Sequence, residues 1–438
     1  MAKTFRSWDV DQIWLLPPSV QDLVPAGSVA HFVREMVRES LDLSAILDTY
    51  TEERGFPPYD PRMMTALLLY GYTQGVYSSR RLARACEQRV DFMAVTALQQ
   101  PDFRTLSEFR KRHLKALGGL FVQVLQLCRE AGLVKLGHVA LDGTKIRANA
   151  SKHKAMSYQR MQKAEKELAA QVEAWFHEAE AVDGEEDDTF GADQRGDELP
   201  DWARNKQQRL AKIREAKAAL EEEAKGQDPP PPVDPEQPHR GRPRQHPAGV
   251  PKPEAQRNFT DPESRIMKTS EGFQQCYNAQ AAVDAESQVI VACDVTQSAS
   301  DRNQLQALVE QIQVNTGRNP TELSADSGYC SEENLAELER REIRGYVATG
   351  KQQHGQPAPA GARASKGERT QRMKRRLQCG GYRSRYRLRK QTAEPVFGQI
   401  KAARGFRTVL LRGVEKVTDE WSLICTAHNL LKLAASRA

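Results

Sequence analysis

Between residues 20 and 130 apolar side chains recur three and four positions apart, as in Met63, Met64, Leu67 and Leu68 and again in Phe121, Val122, Val124 and Leu125. That is the period of one helix face, so the stretch is expected to be mostly helical. Asp60-Pro61 supplies a start for one helix, with Asp as the cap and Pro at a position where its missing N–H is not needed. After Thr73-Gln-Gly-Val-Tyr77, Ser78 is placed to open a second helix, Ser79-Arg-Arg-Leu-Ala-Arg-Ala85. Two helices joined by a glycine-containing turn, the second basic on one side, can lay Arg80, Arg81 and Arg84 on DNA. The same pattern also fits a plain hairpin with a solvated arginine face.

Further on the period changes. Gly137-His-Val-Ala-Leu-Asp142-Gly143 reads as a short buried strand ending in an acid and a turn glycine. Residues 154 to 180 and 203 to 225, charged and alanine-rich, read as two long helices flanking an acidic segment. Their apolar pattern is not sustained for the heptads a coiled coil needs. Gln227-Asp-Pro-Pro-Pro-Pro-Val-Asp-Pro, with further prolines to Pro253, excludes helix and central strand and predicts an extended, mobile linker. Order returns at Tyr277–Asp284 and Gln288–Val295, two apolar or alternating runs joined by Ala285-Glu-Ser, which is a hairpin signal. A helix over Asp301–Thr316 follows. Glu322-Leu-Ser-Ala-Asp326-Ser-Gly328 then repeats the device of a strand ending on Asp and turning on Gly. The pattern next predicts a helix at Glu332–Arg341, a strand at Gly345–Ala348, a Gly/Pro/Lys-rich loop at 350–370 and a helical remainder to Ala438.

The chain has 438 residues, beyond the size of a single core, which predicts two or three structural units. No window approaches the roughly 18 apolar residues that cross a bilayer, and the N-terminus carries no apolar block of a leader, so a cytosolic, non-membrane protein is expected. Seven cysteines are scattered singly, which argues against a zinc site or a disulfide framework. The net charge of +6 is segregated: Arg363 to Arg412 holds sixteen Lys or Arg against two acids, Glu368 and Glu394, while residues 178 to 201 are dominated by Asp and Glu. A basic stretch of that density suits a polyanion or a solvated loop.

Two strands that each deliver an aspartate at a carboxyl end suggest a ligand site, because ligands of open α/β sheets bind outside those ends. Glu394 is a third acid, alone among basic residues; Pro395 is best tolerated in a first helical turn, so Glu394 is expected near a helix start with Lys401 on its face. Carboxylates suit a site for hard cations: two Mg²⁺ ions roughly 3.5–4 Å apart can promote in-line displacement at phosphorus. Singly, each acid has an ordinary structural explanation, an Asx turn or a helix cap.

Together these strings resemble the DDE insertion-sequence transposases of bacteria. The likeness covers residues 138–151, 258–301, 322–330 and 386–431. It is carried by Leu141-Asp-Gly-Thr-Lys-Ile, Asp261-Pro-Glu-Ser-Arg-Ile-Met-Lys, Ala325-Asp-Ser-Gly-Tyr, Glu394-Pro-Val-Phe-Gly-Gln-Ile-Lys, Arg412-Gly and Ala427-His-Asn-Leu-Leu-Lys432. Tyr59-Asp-Pro-Arg, Tyr77-Ser-Ser-Arg-Arg-Leu and Arg104-Thr-Leu-Ser-Glu-Phe-Arg110 are similar to the family's N-terminal domain. One departure stands out: the related pattern places Tyr-x-x-Arg before the glutamate, where this chain has Arg387-x-x-Lys390, with Tyr386 displaced by one.

The resemblance implies an α/β ribonuclease-H-like catalytic domain, a mixed sheet flanked by helices, formed by 131–152 and 257–438. An all-α, DNA-binding domain over 1–130 precedes it, and a helical and disordered insertion over 153–256 interrupts it. It implies that Asp142, Asp326 and Glu394 form the catalytic triad that holds two Mg²⁺ (or Mn²⁺) ions. Lys401 matches a lysine that contacts DNA near the cut. Lys390, Arg404 and Arg407 of the basic segment, with Arg80, Arg81 and Arg84, are further candidates for DNA contact. The implied partner is double-stranded DNA, as terminal inverted repeats and as target, handled by a homo-oligomer at the bacterial nucleoid. The implied chemistry is metal-dependent cleavage followed by strand transfer. The competing readings are a ribonuclease-H-like nuclease without strand transfer and a catalytically inactive DNA-binding regulator.

Overall fold

The computed structural model describes residues 19–51, 57–190, 201–227, 247, 249–350, 367–380 and 385–437. Helices come first: α1 (Val29–Glu39), α2 (Ser44–Leu47), α3 (Pro61–Thr73), α4 (Ser79–Gln88), α5 (Val90–Thr96), α6 (Phe103–Arg112) and α7 (Leu114–Glu130). Asp60 caps α3 through the Arg62 N–H and Asp102 caps α6 through the N–H groups of Arg104 and Thr105, each satisfying donors a helix start leaves open. Ser78 stands at the cap position of α4 but its side chain makes no capping bond.

A strand β1 (His138–Arg147) follows, then β2 (Ala155–Ser157) and two long helices, α8 (Tyr158–Phe190) and α9 (Asp201–Gln227), closed at the base by β3 (Gln256–Asn258) pairing with β2. This hairpin has a small core of its own, with Tyr158, Met161, Ile213, Ala216 and Leu220, and is laced by Glu165 to Arg214 and Lys217. The prolines at 229 to 243 lie outside the described residues, as does most of the loop at 350–370.

The main sheet is built from β1 with β4 (Arg265–Thr269), β5 (Gly272–Asp284), β6 (Ile290–Thr296), β7 (Glu322–Ala325) and β8 (Arg344–Val347), in the order β4-β5-β1-β7-β8, with β6 also beside β5. β5 runs antiparallel to β1, whereas β7 and β8 are parallel to it, so the sheet is mixed. Helices α10 (Leu305–Thr316), α11 (Glu332–Arg340), α12 (Glu368–Gly380), α13 (Leu388–Gly398) and α14 (Val414–Arg437) flank it. α10 starts four residues later than the sequence pattern predicts. Asp301, expected as its first residue, is instead held by side chains of β5.

α14 joins the halves. It packs on β6 and, on its other sides, on α7, α3 and α1. Trp421, fully buried, donates to the Gln280 carbonyl at 2.9 Å, and the Asn429 amide pairs with both the N–H and the carbonyl of Ile290 on β6. One buried apolar cluster therefore runs from α1 through the sheet to α14. Among the described residues no helix is long and apolar enough to cross a membrane.

Two local expectations are corrected. Asp142 does not end its strand: β1 continues to Arg147, paired with β5 from Val139↔Asp284 to Arg147↔Cys276. Gly143 is not a turn residue but a close-packed one, since a Cβ there would stand 2.7 Å from Asp301 Oδ1 and collide with Gln280 Nε2. Pro395 lies well inside α13 rather than in its first turn. The carbonyl that a proline leaves without its helical donor, that of Gln391, accepts from Gln288 Nε2 at 3.1 Å, and the helix widens into a π turn over Gln399–Ala403.

Candidate active site

The parallel register sets the first two acids. Ala140 lies opposite Ser324 on β7, so Asp142 and Asp326, each two residues further on, sit at one level with side chains of the same parity. Asp326 leaves the strand end and accepts from the Gly328 N–H at 2.8 Å, which fixes its carboxylate against the turn. Asp142 is buried among the strands.

α13 brings the third. Thr392, Ala393 and Val396 are its buried stripe, and the helix lies against β1 and β5. Arg389, three and four positions before Thr392 and Ala393, is on that stripe and faces inward; Glu394 is off it and half exposed. The Arg389 guanidinium lies among all three acids: 2.9 Å from Asp142 Oδ1, 3.6 Å from Glu394 Oε1 and 4.0 Å from Asp326 Oδ2. Its Nε is buried without a hydrogen-bond partner. The Asp142 carboxyl is pushed up to about 6, chiefly by burial and further by Asp326, against the pull of Arg389. Burial works against the charge of Arg389 too, but Asp142, Tyr386 and Asp326 outweigh it and raise its pKa.

Sequence reasoning missed Arg389. Tyr386 and Arg389 preserve the Tyr-x-x-Arg spacing one residue earlier than the glutamate would dictate, and Tyr386 senses the charges of Arg389, Asp326 and Asp142. The usable signal was an arginine in phase with an apolar helix stripe. A fourth carboxylate, Asp301, was missed as well. It accepts from Asn278 Nδ2 at 2.6 Å and Gln280 Nε2 at 2.8 Å, with Lys145 Nζ 4.0 Å away. A Cβ on Gly328 would sit 3.0 Å from Asp326 Oδ1 and 3.1 Å from Asp301 Oδ2, so Asp326 and Asp301 flank that glycine closely.

The basic candidates divide by position. Lys401, carried by the π turn, donates to Thr144 Oγ1 at 2.7 Å and the Lys145 carbonyl at 2.6 Å, which docks it on β1 two residues past Asp142; burial lowers its pKa. Lys390, Arg407, Arg80, Arg81 and Arg84 are exposed. Arg404 is not. It is 9% exposed and donates to His428 Nδ1 at 3.1 Å and to the Gln399 carbonyl, so it ties the π turn to α14 from within the core. Helix α12, rich in arginine, is fastened to α11 where Glu332 accepts from the Thr370 N–H and Arg369 pairs with Glu339.

Among the described residues no three of His, Cys, Asp or Glu are drawn close enough to ligate a metal as they stand. The donor set nevertheless fits a cation. Three carboxylates from separate segments surround one positive group, and the guanidinium stands where a hard cation with oxygen ligands would be held once Arg389 turned away.

A mixed sheet with Asp142 in mid-strand, Asp326 at a strand end and Glu394 on the neighbouring helix, beside an arginine-rich helix, suits chemistry at a phosphodiester. Residues 244–430 match the family described as transposase DDE domain, and residues 18–112 match the transposase domain (DUF772). Together the two matches support a transposase of the DDE insertion-sequence type. DNA binding, DNA cleavage and strand transfer are general to that family, which also generally depends on a divalent metal. Asp326 and Glu394 fall within the matched DDE segment, and Asp142 lies before it. No curated protein and no solved structure matches the chain.

Proposed function

We propose that this transposase cuts DNA at the terminal inverted repeats of its element and joins the freed 3′-OH to a target phosphodiester, with Asp142, Asp326 and Glu394 as the site of both steps. The observation that carries the reading is the convergence of these three carboxylates, from β1, the end of β7 and α13, on a single cation. They would hold Mg²⁺ or Mn²⁺, as two ions. The chemistry such a metal would supply, when held by these carboxylates, is activation of the attacking oxygen and stabilisation of the leaving one at phosphorus. The chain's own part is positioning: β1 and β7 fix the two aspartates at one level, and Lys401 is docked beside them to meet a phosphate. Lys390, Arg407, Arg80, Arg81 and Arg84 neutralise the DNA backbone.

The order β6-β5-β1-β7-β8, three antiparallel strands followed by two parallel ones, supports a ribonuclease-H-like reading of the sheet. In that reading 131–152 and 257–438 form the catalytic domain, 1–130 the DNA-binding domain and 153–256 an insertion, the whole acting on two DNA ends as a homo-oligomer.

The test is incubation with a labelled duplex carrying the repeat that flanks the gene, with and without Mg²⁺. Cutting at the repeat end followed by joining to a second duplex is the expected result. Asp142→Ala and Asp326→Ala should each abolish cutting and leave duplex affinity within a few-fold. Cutting without joining would reduce the enzyme to a nuclease, and loss of binding in step with cutting would remove the acids from the site.

A further inference from the structure

Away from the acids, a cavity of about 430 Å³ opens between the N-terminus of α4 and the side of α6, with Leu410 at its edge. Its lining carries four cations, Arg80, Arg104, Arg110 and Lys111, against one acid, Glu108. The start of the ten-residue helix α4 lies at the wall. Ser78 gives it no side-chain cap, and Ser78, Ser79 and Arg80 line the wall, so the positive end of the helix borders the space.

Arg110 supplies the second, independent observation. It is 5% exposed, yet its charge meets no carboxylate directly: Nη1 donates to the Tyr77 carbonyl at 2.8 Å, Nη2 to Ser79 Oγ at 3.1 Å, and Nε is buried without a partner. The buried acid that senses this charge, Glu420, directs both oxygens to the N–H groups of Leu410 and Leu411. A desolvated guanidinium held by neutral groups is a place for an anion. Phe103, partly exposed, lies under Arg80 at 5.0 Å and Arg104 at 5.7 Å, so both cations are stacked on a ring and stationed at the mouth.

From these observations we infer that the α4–α6 cavity binds a backbone phosphate of the DNA on which the transposase acts, at a fixed distance from the cutting site. The inference rests on the transposase reading and adds a second anchor to it. The distance follows from connectivity. β1 runs from Asp142 to Arg147, Arg147 pairs with Thr408, and Leu410 is two residues beyond. With strand rises of about 3.3 Å and a strand spacing of about 4.8 Å, the cavity edge is at most roughly 28 Å from Asp142. A phosphate seated in the cavity is at most one cavity width, about 9 Å, beyond that edge, so at about 3.4 Å per base pair it lies no more than about eleven base pairs from the cut.

The informative variant is Ser79→Asp. A carboxylate in the first turn of α4 beside Arg110 occupies the anion position from within while favouring the helix, so the thermal midpoint should hold or rise. The probe is a duplex of the element end in which single phosphates are replaced one by one by neutral methylphosphonates. For the wild-type protein, affinity is expected to drop at a phosphate within about eleven base pairs of the cut. In Ser79→Asp that position should fall silent, and the slope of log K against log salt should shrink by about 0.9, the loss of one phosphate contact. Arg104→Ala and Lys111→Ala, both on the surface, should weaken binding several-fold in the same register. An unchanged slope and profile in Ser79→Asp would overturn the cavity as a phosphate site. Cutting is read separately: a wild-type protein that binds with this profile but never cuts supports the anchor and overturns the transposase reading.

Discussion

Replacing Arg389 with Ala probes the centre of the site without touching an acid. In the wild-type protein Asp142 and Arg389 are each 12% exposed at the side chain and 2.9 Å apart, and the Asp142 carboxyl is pushed up to about 6. Removing one partner of a buried pair costs about 3–5 kcal/mol when the other must stay charged. Here Asp142 can take a proton instead. At a pH near 7.5 that protonation costs about 1.5 pH units, or about 2 kcal/mol, which sets the expected loss of stability. The sign follows from the direction of the shift: toward pH 6 the wild-type Asp142 becomes half protonated while the variant's, freed from the pull of Arg389, is more fully so, and the difference between them should shrink. A saturating divalent metal should erase the difference, because in the wild-type protein it must displace the guanidinium and in the variant it need not. The same 2 kcal/mol then appears as an Mn²⁺ affinity roughly 30-fold tighter in Arg389→Ala. Urea melts in EDTA at several pH values, with calorimetric titration of Mn²⁺, measure both quantities without any turnover. Equal metal affinity in the two proteins, or melts that stay parallel from pH 6 to pH 8, would refute the view of Arg389 as the counter-cation of the three acids.

Other consequences can be checked more simply. His428 is buried, donates from Nε2 to the Gln288 carbonyl and accepts from Arg404 at Nδ1, so its neutral form is built in and its pKa falls to about 3, through burial and then Arg404. The unfolded chain binds this proton below about pH 6.5, so stability should fall from there toward pH 3, by about 2 kcal/mol at pH 5. His428→Gln should flatten that part of the stability–pH curve measured by denaturant melts; an unaltered curve would mean that another group carries the acid sensitivity. Gly143→Ala should cost about 1–3 kcal/mol, because the added Cβ meets Asp301 and Gln280 between strands that cannot part, and it should slow cutting by shifting Asp142. A thermal midpoint within a degree of wild type would show that the strands have room to give. Asp301→Asn keeps the size of the side chain but removes its charge; a slower cut with unchanged duplex affinity is expected if this carboxylate helps place Lys145 and Asp326.

Elements with a strong period were legible in the sequence. The helical stretch before residue 130, the Asp60 cap, the β5–β6 hairpin and the turn after Asp326 are all where the pattern predicts. Failures came from residues whose role depends on distant neighbours. A glycine after an acid reads locally as a turn, and only the approach of Asp301 and Gln280 from other segments explains why Gly143 sits in mid-strand. Pro395 reads as a helix start because its missing donor is visible in the sequence, while the Gln288 amide that satisfies the freed carbonyl comes from 103 residues away. The three acids could be listed from the sequence, but the arginine among them could not, since one basic residue among sixteen is distinguished only by the phase of α13 against the sheet.

The packing of α14 also bears on how the protein is made. Cys128 of α7 lies against the Asn429 carbonyl, 301 residues downstream, and Arg437 reaches Phe32 and Met36 of α1. The N-terminal helices are therefore synthesised long before the surface that completes their core. At roughly 5–20 residues per second, a ribosome needs about 15–60 s to supply it. Throughout that interval the apolar faces of α1, α3 and α7 have no α14 to cover them, so the nascent chain exposes them until α14 emerges. A product shortened before α14 would keep those faces uncovered, a condition that favours aggregation.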